Sequence, residues 1–244
     1  MHWSIYGFIV VSLLVASTLL FTDAARSVVQ LGLIWRVAPY EQPGGGAGSI
    51  LVIGDSTGYG TGAARSEDSV AGRLGNEYTW YRIQNDSVNG RKIAGAADAL
   101  EKVSSRHDLI LLQIGANDLL ADRDVPVVVA DMRQLIESAR NRADFVVVMS
   151  AGNIGAVPYF TDADAIRFEA VSRQYDQAMQ QLARDYQDVS FVSLFDEPAD
   201  DPFVQRSKEL LSADGLHPSS AGYAVWYEKA RPDFTAVLNA TSTP

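Results

Sequence analysis

Three short stretches of this chain, residues 49–53, 109–114 and 145–149, are apolar at nearly every position. A strand with one face in water alternates apolar and polar residues, so a run without alternation needs both faces covered. That requirement constrains the fold more than any other feature. Residues 79–84 add an alternating, aromatic-rich strand, and residues 189–194 a fifth. Between these lie helical spacings at residues 69–74, 92–103, 127–140 and 164–186. A last helix is expected to begin at Ser219 and Ser220, whose hydroxyls can cap exposed N–H groups. It should reach about Lys229 and be ended or kinked by Pro232. Strands alternating with helices predict an α/β fold: a three-layer α/β/α sandwich around a mostly parallel five-stranded sheet.

The 244 residues suffice for one such domain, and the patterning assigns it residues 49–244. Ahead of it, Trp3 to Phe21 is a nineteen-residue run without a charge. As a helix it would be about 28 Å long, close to a bilayer core. Residues 1–25 therefore read as a transmembrane anchor or a signal peptide. The basic n-region of a signal is missing, and Thr22-Asp23-Ala24 is a poor cleavage site. An uncleaved anchor leaves the domain membrane-bound on a side that two arginines, Arg26 and Arg36, do not decide; cleavage makes it periplasmic or secreted. Residues 26–48 read as a juxtamembrane segment, apolar from Ser27 to Tyr40, that lies along the membrane surface or packs on the domain as a strand or helix, followed by a flexible, Gly-rich linker from Glu41 to Gly48.

Thirty acidic and twenty basic residues give a net charge of −10, which would repel a nucleic-acid backbone. The sequence has no cysteine, which removes disulfides, thiolate metal sites and cysteine nucleophiles. The three histidines, at positions 2, 107 and 217, are too few for a histidine-based metal cluster, so no metal or cofactor is expected. Oligomeric state leaves no signal in the pattern.

In parallel sheets ligands sit at the carboxyl ends of the strands. Four segments fall there or before the last helix: Gly54-Asp55-Ser56-Thr57-Gly58, residues 85–90, Gly115-Ala116-Asn117-Asp118 and Asp214-Gly215-Leu216-His217. A serine hydroxyl needs a base to take its proton, and His217 is the histidine suited to serve Ser56. His2 lies in the apolar run, and His107 precedes a strand, at the opposite end of the sheet, in what reads as a solvated loop. Asp214, three residues before His217, can hold the ring tautomer. Asn117, the Gly90 N–H and the Ser56 N–H are candidate donors to an oxyanion. Taken singly, Asp214 also fits a turn cap, Asn117 a closed turn and Gly90 a tight loop.

In order and form the four segments resemble the signature of the SGNH-hydrolase family, also called GDSL esterases or lipases. The resemblance covers about residues 49–230. It implies the flavodoxin-like fold of that family and hydrolysis of carboxylic esters without a cofactor. It also implies Ser56 as nucleophile, His217 as base, Asp214 as orienting acid, and Ser56, Gly90 and Asn117 as the oxyanion hole. Thr57 stands where the motif name has Leu, and Arg91-Lys92 replaces the small polar residues common in the second block, which is expected to alter the leaving-group side of the site.

Two other readings compete. Gly54-Asp55-Ser56-Thr57-Gly58 fits a Gly-x-Ser-x-Gly nucleophile elbow, but that fold places several strands before its elbow. Gly58-Tyr59-Gly60-Thr61-Gly62-Ala63 fits a dinucleotide fingerprint, but its first glycine comes late after the strand. Substrates are expected to be small-molecule or lipid esters, with carbohydrate acetyl esters and thioesters as alternatives on the same site. Val157, Tyr159 and Phe160, after the fourth strand, are expected to line the acyl site.

Overall fold

The computed structural model describes residues 37–44, 48–149 and 151–240, together with Gly32. The apolar run from Trp3 to Phe21 lies outside the described residues. Among those described, no helix is long and apolar enough to cross a membrane.

The strands are β1 (Gly48–Gly54), β2 (Tyr81–Asn85), β3 (His107–Gln113), β4 (Ala143–Met149) and β5 (Val189–Val192). The helices are α1 (Ser56–Tyr59), α2 (Val70–Glu77), α3 (Ile93–Glu101), α4 (Ala116–Leu120), α5 (Val125–Arg140), α6 (Asp162–Ala183), α7 (Pro202–Gln205), α8 (Ser207–Leu210) and α9 (Ser220–Ala240). The sheet runs β2-β1-β3-β4-β5 with every pair parallel, as the run pattern requires. This is the doubly wound order, and the chain reverses direction across the sheet between β1 and β3.

The pleat sends alternate residues of each central strand into two separate cores. Ile50, Val52, Leu109, Leu111 and Val147 join α2 and α9 on one face. Leu51, Ile53, Ile110, Leu112 and Val148 join α3, α5 and α6 on the other. β2, at the sheet edge, alternates buried and exposed, which is why it alone among the first four strands looked amphipathic.

Three expectations are corrected. The segment read as a linker is partly packed. Gln42 makes an antiparallel bridge to Ile83, and its side-chain Nε2 donates to the carbonyls of Tyr78 (3.2 Å) and Tyr81 (2.7 Å). With Val37 buried, ordered packing begins upstream of Ser49, because the open edge of β2 has backbone groups to satisfy. Second, α9 continues through Pro232 to Ala240. The ring forgoes the bond to the Glu228 carbonyl, but Phe234, Val237 and Leu238 beyond it are buried and hold the helix on the sheet. Third, His107 begins β3 at the amino edge and is buried, not solvated. Its Nε2 meets Ser105 Oγ at 3.1 Å, and burial lowers its pKa.

Candidate active site

The turn out of β1 carries the first group. Asp55 N donates to the Gln113 carbonyl at 3.0 Å, which ties the turn to the end of β3. The Asp55 side chain caps the four-residue helix α1, accepting from Thr57 N and Thr57 Oγ1, both at 2.8 Å. Thr57 thus uses its hydroxyl on the turn, leaving Ser56 at the helix start. Asp55 is 1% exposed, and burial pushes its carboxyl up to about 6 against the bonds from Thr57.

His217 arrives on the loop before α9. Its Nε2 is 2.9 Å from Ser56 Oγ, and its Nδ1 is 2.6 Å from Asp214 Oδ2. Asp214 Oδ1 accepts from Ser212 Oγ (2.7 Å), Leu216 N (2.9 Å) and His217 N (3.0 Å). Burial alone would raise this carboxyl, but the bond and charge of His217, with those donors, hold it well below the ordinary carboxylate range. The loop needs Gly62 beneath it. Gly62 has φ +96°, and a Cβ there would sit 2.4 Å from the Pro218 carbonyl and 3.0 Å from His217 Cβ. That close approach gives a structural reason for one glycine of the apparent dinucleotide fingerprint.

Asn117 lies in α4, one turn past β3, and Gly90 follows β2 with φ +75°. Both line the cavity that also reaches Ser56 and His217. Asn117 Nδ2 donates to the Arg91 carbonyl at 3.2 Å and lies 3.5 Å from Asp55 Oδ2. Its neighbour Asp118, fully buried, accepts from Ile93 N (2.9 Å) and Arg123 Nη1 (2.5 Å). The third segment is thereby pinned to the start of α3. Arg91 folds back on its own loop, donating to the Asp86 carbonyl, and it does not line the cavity. The Arg91 side chain therefore reaches no lining group through which to act on the leaving-group side, and its link to the site is the backbone carbonyl that holds Asn117.

The cavity holds about 320 Å³. Away from the serine its wall is mostly apolar, with Ile154, Val157, Leu194, Phe203, Leu211 and Trp226. Of the three residues expected there, Val157 is present and Tyr159 and Phe160 are not. The Phe160 ring turns to the core and packs at a tilt with its centroid 4.6 Å from that of Phe168 of α6, and Tyr159 meets Phe160 edge-on at 5.1 Å. Phe203 and Trp226 were missed because they lie in segments without a motif. So were Asn153 and Asp201, the polar members of that wall. Beneath the site, Ser87 Oγ, the Gln113 side-chain amide and Tyr175 Oη are buried without a hydrogen-bond partner among the described residues. No local pattern announces such a layer. Among the described residues no group of His, Cys, Asp or Glu side chains is placed to hold a metal ion.

A doubly wound sheet with a hydroxyl, an imidazole and a carboxylate in bonded sequence at its switch point defines a class, the α/β-fold ester hydrolases. The sequence model of the GDSL-like Lipase/Acylhydrolase family matches residues 52–225. The chain belongs to that family and is a hydrolase of ester bonds. Solved structures agree on the fold. A lipolytic protein of the G-D-S-L family from Veillonella parvula is 21% identical, with a TM-score of 0.62 over 77% of this chain and 98% of its own. An acetylxylan esterase from Geobacillus stearothermophilus is 19% identical, with a TM-score of 0.55 over 79% and 96%. The psychrotrophic esterase EstA from a Pseudoalteromonas species is 20% identical, with a TM-score of 0.56 over 79% and 99%. No curated protein sequence matches the chain.

Proposed function

We propose that this protein is a serine carboxylic-ester hydrolase working through an acyl-enzyme on Ser56. The observation that carries the reading is the bonded row Ser56 Oγ–His217–Asp214, with contacts of 2.9 and 2.6 Å. As Ser56 Oγ attacks the ester carbonyl, His217 Nε2 takes its proton and passes it to the leaving alkoxide. Water, deprotonated by the same nitrogen, then attacks the acyl-enzyme; the proton returns to Ser56 and the acid departs. Asp214 keeps Nδ1 protonated and stabilises the imidazolium.

The tetrahedral oxygen would be held by the N–H groups of Ser56 and Gly90 and by Asn117 Nδ2. The Arg91 carbonyl fixes one amide hydrogen of Asn117. Asn117 Nδ2 also lies 3.5 Å from Asp55 Oδ2, a long contact that a developing oxyanion would displace. The apolar wall supports acyl chains of short to medium length, and lipid-derived esters with them. The acetylxylan esterase among the structural neighbours keeps carbohydrate acetyl esters in view. The charge-free run from Trp3 to Phe21 supports an N-terminal membrane anchor holding the site near lipid esters.

The test is hydrolysis of p-nitrophenyl esters from acetate to palmitate by the full chain beside Ser56→Ala. Activity that vanishes in the variant supports the mechanism, and the chain-length profile separates acetylesterase from lipid esterase. Equal activity in both proteins would mean another nucleophile. Membrane fractionation with the mass of the mature N-terminus decides between anchor and cleaved signal.

A further inference from the structure

The loop from Asp86 to Lys92 carries two of the groups proposed to serve the oxyanion. These are the Gly90 N–H and the Arg91 carbonyl, which accepts from Asn117 Nδ2 at 3.2 Å. Backbone bonds hold the ends of the loop. Asp86 N donates to the Val52 carbonyl (2.9 Å), Val88 N to the Gly54 carbonyl (3.1 Å) and Ile93 N to Asp118 Oδ2 (2.9 Å). The middle has one turn bond, from Arg91 N to the Val88 carbonyl at 3.1 Å, and little packing. Val88, Gly90 and Lys92 are exposed, and a Cβ on Gly90 would meet nothing within 4 Å. Two side chains make up for this. Asn89 Oδ1 accepts from Thr61 Oγ1 at 2.6 Å, and the Arg91 guanidinium folds back to the first residue of the loop. Its Nη1 donates to the Asp86 carbonyl, and its Nη2 lies 3.6 Å from the Asp86 carboxylate. The Arg91 side chain is 11% exposed, and its stem lies over Gly95 of α3, where an added Cβ would sit 3.4 Å from Cγ. A half-exposed ion pair adds little stability, and taking a guanidinium out of water has a cost, so what the strap supplies is order.

We propose that Arg91 is a positioning residue for the oxyanion hole, closing the Asp86–Arg91 loop so that the Gly90 N–H and the Arg91 carbonyl keep fixed directions. The proposal rests on the acyl-enzyme reading of Ser56. Arg91 does not line the cavity, so it acts through Asn117, whose amide its carbonyl orients. Released into water, the guanidinium would free the peptide between Arg91 and Lys92 to rotate, and Asn117 would lose its acceptor. A donor that must be re-aimed during the reaction stabilises the tetrahedral oxygen less than one already in place. The loss therefore falls on kcat, and ground-state binding of the ester is spared.

The test measures kcat and KM for p-nitrophenyl butyrate in the full chain and in Arg91→Met, each with and without Asn117→Ala. Arg91→Met keeps the stem and loses the guanidinium. It should lower kcat by about thirtyfold, short of the roughly hundred- to thousand-fold that loss of an oxyanion donor brings. KM should stay within about threefold. In the Asn117→Ala background the effect of Arg91→Met should shrink to about threefold or less, because the group it positions is gone. Parental kcat in Arg91→Met overturns the proposal, and so does a loss carried by KM alone. An equal loss with and without Asn117 also overturns it, since a merely structural role would not depend on that amide. Should Arg91→Met not fold, Arg91→Gln takes its place in the cycle; unfolding of both overturns the proposal, because Arg91 then holds the fold itself. Any of these results beside Ser56-dependent hydrolysis removes this inference alone. Absence of Ser56-dependent hydrolysis of every ester removes the serine reading, and this inference with it.

Discussion

Asp214→Asn isolates what the carboxylate does for His217. Three donors, Ser212 Oγ, Leu216 N and His217 N, converge on Oδ1 at 2.7–3.0 Å. In the variant the amide oxygen must stay with them, so the amide nitrogen faces His217 Nδ1, now 2.6 Å from Oδ2. Two N–H groups cannot face each other, and the ring takes the tautomer with its proton on Nε2. That nitrogen then has no lone pair for Ser56. A wrong tautomer of this kind lowers kcat by about ten-thousand-fold in the chymotrypsin-type triad. At about 1.4 kcal/mol per decade this is roughly 5.5 kcal/mol of transition-state stabilisation. The loop keeps its backbone bonds, so KM should move less than about threefold and the thermal midpoint by only a few degrees. The assay is steady-state hydrolysis of a p-nitrophenyl ester, with thermal unfolding followed by circular dichroism. A kcat within tenfold of the parent, in a folded variant, would refute the reasoning.

Asp55 should make stability fall as pH rises. Burial lifts its carboxyl from 3.8 to about 6, so between those values the folded state binds the proton and the unfolded state does not. The stabilisation present at acidic pH is lost as pH climbs through that window, on the order of 3 kcal/mol by pH 8. Asp55→Asn should therefore gain stability relative to the parent between pH 4 and pH 8 in urea titrations; a pH-independent difference would contradict it. Gly62→Ala should lose about 2–4 kcal/mol, because its Cβ meets the Pro218 carbonyl at 2.4 Å and φ is +96°. Its ester turnover should fall as well, since the His217 loop has to move. A normal thermal midpoint with parental turnover would show that the loop tolerates the methyl. Starting the chain at residue 49 instead of 37 removes the Gln42 bonds and the burial of Val37. That should cost about 3 kcal/mol, or roughly 6–12 °C in the melting of otherwise identical soluble chains. Equal midpoints would mean that the segment adds no stability.

The doubly wound sheet was legible because burial on both faces removes the alternation from a strand, and that mark is local. Residues 50–53, 109–112 and 145–149 carry it without reference to any partner. The polar segments were legible for a related reason. Once strands are placed, parallel topology assigns their following residues to one edge, and Ser56, Gly90 and Asn117 fall there with the Asp214–His217 loop. Regularities that depend on distant chain were not legible. Pro232 reads as a stop or a kink, and burial of Phe234 and Leu238 carries α9 past it. Gln42 looks like part of a linker until the open edge of β2 offers it a partner.

The sequence by itself determined the layers and the strand count, since each depends on periodicity within a few residues, and it pointed to the residues at the carboxyl edge through four motifs whose order resembles a known family. Tertiary structure decided the rest: that Phe203, Trp226 and Asn153 wall the cavity while Tyr159 and Phe160 do not, and that Asp55 is pushed up while Asp214 is held down. Those outcomes depend on which surfaces come within a few ångströms after packing, and atoms in contact here belong to residues as far apart as Ser56 and His217.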